Sequence, residues 1–240
     1  LEKKGKKPVI IRKFYKNHID EYRLIRSKLI NLIVQKNRAL AINQAIKDGF
    51  DTVVLDDGFQ DYTINKNLNV ICFNQRQLIG NGKIFPAGPL REKLFSLKDA
   101  EIVIINGKKD KEFEKKILNI NENLQIFYSK YVPLNIQSFK DRKILAIGGI
   151  GTPSNFFQIL RDYGINVIEE KSFPDHYNFK QDELKSLIDH AKVQDEKIIM
   201  TEKDYFRIKD YNLKEIDYLK VNLEIEKKEK LVQCIEKVYD

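Results

Sequence analysis

Asp56 and Asp57 stand side by side after the apolar run Val53, Val54 and Leu55 and just before Gly58, so a strand runs straight into paired acids and a turn residue. Asp-Gly is a strong turn signal, and a strand has to stop somewhere. The same placement also suits a metal site, because the carboxyl ends of parallel strands face the ligand crevice in α/β folds, where acids hold Mg²⁺ on a nucleotide. Both readings stay open on this stretch alone. Asp20 and Glu21 open the helical pattern "DEYRLI", where acids favour the positive helix end and also sit at the carboxyl edge of a sheet.

Three loops carry further candidates. The segment "IGNGKIFPAGPLRE" (79–92) is rich in glycine and proline and ends on Arg91 and Glu92, a charge pair expected at a helix start that can aim a guanidinium at phosphate. The segment "GGIGTPSNFF" (148–157) sets glycines between a strand and a helix N-terminus, a geometry that can cradle phosphate. It lacks the lysine and hydroxyl of G-x-x-x-x-G-K-[ST], and "GNGKI" has Ile84 in the hydroxyl position, so neither is an intact phosphate loop. In "SFPDHY" (172–177), Asp175 can orient His176, or His176 can pair with a distant acid and move protons. His18 at a helix start and His190 within a helix occupy ordinary positions.

These residues need a frame, and short apolar runs alternating with helical patterns predict parallel strands joined by crossover helices. The expected strands are "PVIIR", "LIVQ", "TVVL", "NVICF" and "EIVII", with helices over "DEYRLIRSKLI" and "ALAINQAIKDG", the latter closed by Gly49. This gives a first α/β unit over 1–123. From 124 to 141, "LQIFYSKYVPL" and "IQSF" read as two extended pieces forming a connector. A second α/β unit over 142–240 follows, built from "KILAIGG", a helix from Pro153 capped by Thr152, "INVIEE", a helix from Gln181, "KIIMTEKD", "DYLKV" and a last helix over "KKEKLVQCIEKVY".

Composition narrows the classes. The chain has 240 residues, 42% of them hydrophobic, enough for a sizeable core. Its two cysteines, Cys72 and Cys234, belong to no zinc-type cluster and fit a reducing setting. No apolar run reaches bilayer length, and no signal peptide is visible. The net charge of +8 is spread along the chain, with no aromatic-interleaved basic motif for nucleic acid. The opening "LEKKGKKPVIIRK" reads as the last turn of a helix, a stop at Gly5 and then a strand, a start expected to lie inside an element.

Taken in order, "DDGFQ", "GNGKIFPAGPLRE", "AIGGIGTPSNFF", "FPDHYNF" and "MTEKD" resemble the tetraacyldisaccharide 4'-kinases of lipid A biosynthesis, over nearly the whole chain from Lys7. The resemblance implies a P-loop-NTPase-like parallel sheet with helices on both faces and a smaller C-terminal α/β domain. It implies phosphoryl transfer from Mg-ATP to the 4'-hydroxyl of a tetraacylated glucosamine disaccharide 1-phosphate, by a protein peripheral to the anionic cytoplasmic face of the bacterial inner membrane. Asp56 and Asp57 then match Walker-B-type acids on Mg²⁺, and Gln60 a residue near that metal. Arg91 and Glu92 match charged groups lining the nucleotide site. Asp20 matches the acid that takes the sugar hydroxyl's proton, with His176 as its partner. Two departures stand out. The family's Walker A loop would precede Leu1, so the chain as given is expected to lack kinase competence, and Asp61 stands where the family usually carries histidine. A catalytically dead module of the same fold and a metal-dependent glycosyltransferase are the alternatives.

Overall fold

The structure is a computed structural model that describes residues 1–28 and 30–239. The chain forms two compact units, each from two separate stretches: 1–56 with 132–222, and 57–131 with 223–240.

In the first unit, β1 (Pro8–Lys13) follows a 3₁₀ turn stopped by Gly5 at φ 75°, as the opening residues predict. After α1 (Ile19–Ser27) come β2 (Leu32–Gln35), α2 (Arg38–Lys47) and β3 (Thr52–Leu55). The end of the "DEYRLIRSKLI" helix expectation reaches Leu29, which lies outside the described residues. The three strands form a parallel sheet in the order β2-β1-β3. Ala41 and Ala45 of α2 sit fully buried on Val9, Ile11 and Ile33, the small side chains letting the helix come close to the sheet.

The second unit contributes β4 (Val70–Asn74), β5 (Ile102–Asn106), α3 (Lys111–Leu118) and β6 (Gln125–Pro133). Its parallel run β4, β5, β6 alternates inward residues, so Val103 and Ile105 face Phe113 and Ile117 of α3, while Ile102 and Phe127 face the opposite layer.

The first unit resumes with β7 (Lys143–Gly148), α4 (Pro153–Asp162), β8 (Asn166–Ser172), α5 (Gln181–Val193), β9 (Glu196–Thr201), α6 (Glu202–Ile208) and β10 (Ile216–Leu219). These strands pair in parallel as β10-β9-β7-β8. β7 is the central strand, and its period of two sends Ile144 and Ala146 to one face and Leu145 and Ile147 to the other. Phe156, Phe157 and Leu160 of α4 cover the first face, and Leu184, Ile188 and Ala191 of α5 the second. Helices on both faces of a parallel sheet are the architecture expected.

Three local expectations need correction. "IQSF" is a 3₁₀ turn (Ile136–Phe139), not a strand, because Ile136 and Phe139 turn to the same side and are both buried. The extended partner of β6 is β11 (Val221–Ile225), and α7 (Lys228–Glu236) follows it. Backbone bonds from Leu134 to Lys220 and from Glu226 to Tyr128 run in an antiparallel register, and the chain leaves each unit within one of these two strands. The units therefore do not follow the contiguous division at 123 and 141: the C-terminal stretch folds with 57–131. Finally, Thr152 precedes Pro153 at the start of α4 but its side chain makes no capping bond.

Candidate functional site

The chemistry-bearing residues of the first unit meet at the carboxyl ends of its strands, where α1 packs against α6. "MTEKD" places them. β9 ends at Thr201, whose hydroxyl accepts from the Asp204 amide at 3.2 Å and caps α6. One turn puts Asp204 and Arg207 on the same face at i, i+3. Asp204 is fully buried, and its Oδ2 accepts from Thr201 Oγ1 at 2.6 Å and from the Gly149 amide at 2.9 Å. Burial pushes its pKa up against these donors and Arg207.

Arg207 is the hub. Its Nη1 reaches Asp204 Oδ1 at 2.9 Å and donates to the carbonyls of Tyr177 at 3.0 Å and Gly149 at 3.3 Å. Its Nη2 binds Asp20 Oδ2 at 2.6 Å. Asp20 is only 4% exposed, and its second oxygen, Oδ1, is buried with no hydrogen-bond partner in the protein. Asp20 is therefore held by Arg207, and its described bonds include none to His176.

Two acids stand beside His176: Asp175, whose Oδ1 accepts from the His176 amide at 3.0 Å and whose Oδ2 lies 3.9 Å from Nε2, and Glu21. Glu21 Oε1 meets Lys203 Nζ at 2.9 Å, and its Oε2 meets Arg12 Nη2 at 2.5 Å and His18 Nδ1 at 3.2 Å. Burial opposes ionisation here, but Lys203 and Arg12 together bring its pKa down to about 2. Lys203 Nζ also lies 3.4 Å from His176 Nε2. An ammonium can only donate, so Nε2 accepts and the ring proton sits on Nδ1. That Nδ1 is buried without a partner. The His176 ring stacks on His18 at 4.7 Å, and its backbone takes φ 59°, a left-handed conformation uncommon outside glycine.

Asp56, just past β3, pairs with Arg12 Nε at 2.6 Å, and its carbonyl accepts from Arg38 Nη2 at 2.9 Å. In the second unit, Asp57 takes φ 51° and its Oδ1 meets Arg91 Nη1 at 3.0 Å. Glu92 accepts from the Tyr62 hydroxyl at 2.8 Å, so Arg91 and Glu92 serve different partners and precede a short 3₁₀ helix (Leu94–Asp99). Gln60 is exposed.

Two sets of ligating atoms invite a fit test for a cation. Asp56 and Asp57 offer only oxygens on side chains that are 44% and 61% exposed, the hard donors that Mg²⁺ prefers. The ligand atoms of His18, Glu21 and His176 lie within 4.8 Å of one another, but two are imidazole nitrogens and the carboxylate is already held by Arg12 and Lys203. By donor type alone, the carboxylate oxygens of Asp56 and Asp57 suit Mg²⁺ and the imidazole-rich set does not, although each of these two acids also meets an arginine.

Sequence reasoning missed Arg207 and the role of Lys203. "MTEKD" was recognised as a motif, yet nothing local marks Arg207, whose partner Asp20 is 187 residues away. One amide of the glycine loop is already committed. The Gly149 amide is taken by Asp204, and a Cβ on Gly149 would come within 3.0 Å of Asp204 Oδ1 and 3.2 Å of Phe179, so glycine serves close packing here.

Comparison with known proteins gives one consistent answer. The family described as tetraacyldisaccharide-1-P 4'-kinase matches residues 6–240. A tetraacyldisaccharide 4'-kinase of Pelagibacter ubique is 38% identical over 99% of this chain and 76% of its own length. One from a Bradyrhizobium strain is 31% identical over 79% of this chain and 56% of its own. The crystal structure of LpxK from Aquifex aeolicus in complex with ATP superposes with a TM-score of 0.67 at 22% identity, over 99% of this chain and 80% of that one, a likeness of fold.

Proposed function

The chain belongs to the tetraacyldisaccharide-1-phosphate 4'-kinase family, and on that footing we propose that it transfers the γ-phosphoryl group of ATP to the 4'-hydroxyl of a tetraacylated glucosamine disaccharide 1-phosphate in lipid A biosynthesis. The step belongs at the cytoplasmic face of the inner membrane, whose anionic surface suits a net charge of +8. No helix among the described residues is long and apolar enough to cross a membrane.

The observation that carries this reading is the unpartnered Oδ1 of Asp20. A carboxylate whose sister oxygen is fixed by Arg207 has one oriented acceptor left, which is what a base needs for a hydroxyl proton. Asp20 accepts that proton as the oxygen attacks phosphorus. His176 offers Nδ1–H to a substrate oxygen while Lys203 fixes its tautomer. Asp56, Asp57 and Gln60 would hold Mg²⁺, and Arg91 and Glu92 line the nucleotide side. Bound Mg²⁺ supplies charge neutralisation for the phosphates. Arg12 and Lys203 keep Glu21 ionised, leaving a fixed charge beside the base.

The test uses protein expressed from its complete reading frame, with labelled ATP and the lipid disaccharide. Transfer to the 4'-position is expected, falling at least about 10²-fold in Asp20→Asn, the lower end for losing a positioned base. No transfer by the unmodified protein overturns the activity. A change under about threefold in Asp20→Asn returns Asp20 to a purely structural partnership with Arg207.

A further inference from the structure

Outside this site, the structure places a second cluster of ligating groups on the outer part of the first unit. Glu169 lies on β8, His190 in the last turn of α5 and Glu196 at the start of β9. Their ligand atoms all lie within 4.8 Å of one another. His190 Nε2 and Glu169 Oε2 are 3.0 Å apart, so the imidazole is already oriented by the carboxylate. Glu196 Oε2 is buried and has no hydrogen-bond partner. A buried carboxylate oxygen left unsatisfied is costly, and such groups call for an explanation such as a bound ion.

We propose that Glu169, His190 and Glu196 bind a divalent transition-metal ion of the Zn²⁺ class. One imidazole and two carboxylates are the three-protein-ligand set that Zn²⁺ accepts, with water in the remaining position. Zn–N and Zn–O bonds of about 2.0–2.1 Å set ligand atoms about 3.3 Å apart in a tetrahedron, so the cluster has to close by about an ångström or more at its widest. Rotation of the half-exposed Glu169 and exposed His190 side chains supplies that movement. The metal takes the place of the proton between Nε2 and Oε2, and the neutral ring keeps its proton on Nδ1.

The state of the carboxylates separates this cluster from the one around His176. There, Glu21 is already held on both oxygens, by Lys203 at 2.9 Å and by Arg12 at 2.5 Å, and Asp175 also meets Lys203. Here, Lys171 binds Glu169 Oε1 at 2.8 Å and leaves Oε2 on the histidine side, and Glu196 Oε2 has no partner. Because the three ligands come from β8, α5 and β9, a bound ion ties the helix to strands on both sides of β7.

Titration of the 240-residue chain with Zn²⁺ alone, against a chromophoric chelator, tests this. One equivalent is expected to bind at about 10 μM or tighter, with at least a tenfold loss in His190→Ala and in Glu196→Gln and no change in His176→Ala. A hundredfold excess over Kd is expected to raise the melting temperature by roughly 5–10 °C, reversed by chelator. His190→Ala lies on an exposed helix face and Glu196→Gln keeps its volume, so far-UV circular dichroism of both is expected to match the parent. Affinity weaker than about 1 mM overturns the proposal. So does binding that survives His190→Ala and Glu196→Gln, or that is lost in His176→Ala.

Discussion

Removing the guanidinium from Arg207 by Arg207→Met is the sharpest perturbation of the site. Arg207 is 11% exposed and pairs with both Asp20, 2% exposed in its side chain, and Asp204, at 0%. Methionine fills much of the volume, so the loss is of charge and hydrogen bonds and not of packing. Breaking a buried pair from one side costs about 3–5 kcal/mol, because it strands the other charge in low dielectric. For a chain of this length that is a fall in melting temperature of roughly 6–20 °C. The sign of the pH effect follows from the orphaned acids. Asp204 has a folded pKa above its unfolded one, raised already in the parent by burial, and losing Arg207 removes a charge that opposed the rise. Its contribution to stability is intact below the unfolded pKa and is lost as pH rises through the folded value. The gap between variant and parent is therefore expected to narrow from pH 7.5 to pH 5. Urea unfolding followed by circular dichroism measures it, and adding Asp20→Asn to Arg207→Met should recover at least about 1 kcal/mol by removing one stranded charge. A cost below about 1 kcal/mol at pH 7.5, or a gap that does not change with pH, refutes the reasoning.

Two other expectations are quickly checked. Glu21 should titrate near pH 2 by carboxyl carbon NMR, and Lys203→Met should raise that value; because the folded pKa is depressed, its stabilisation is present above about 4.5 and is lost as pH falls toward 2, so a normal Glu21 titration contradicts the ion-pair network. In protein from the complete reading frame, Asp56→Asn and Asp57→Asn should each remove most transfer activity without changing the fold, with the loss partly relieved by raised Mg²⁺; unchanged turnover returns "DDGFQ" to the turn reading.

The parts legible in the sequence are those whose cause is local. β-branched runs such as "VICF" and "IVII" form strands because their neighbours along the chain force it, and the alternation in "KILAIG" is enough to send residues to two covered faces. The turn after β3 and the stop at Gly5 were readable for the same reason. "IQSF" was misread because four residues with apolar ends fit a short strand and a 3₁₀ turn equally, and only burial of both Ile136 and Phe139 decides between them. The partner of β6 was out of reach because β11 lies some ninety residues on, and pairing at that distance leaves no periodic trace in either strand.

The site shows the same division more sharply. Residue types were readable: Asp20, Glu21 and His176 stood out, the first two in the first turn of α1 and the third in the loop after β8. Their partners were not. An acid at a helix start has a sufficient local explanation in the helix dipole, so sequence alone gave no reason to look for the arginine that α6 brings to Asp20. The same local sufficiency made the glycines of 148–151 look like a phosphate cradle, when the Gly149 amide and the space beside it are committed to Asp204, 55 residues away. A buried carboxylate has to find its donors wherever the fold supplies them. Each buried acid in this chain is therefore a reason to search for a distant cation or amide, and an acid oxygen for which the search fails, as for Asp20 Oδ1 and Glu196 Oε2, is where an external group has room to bind.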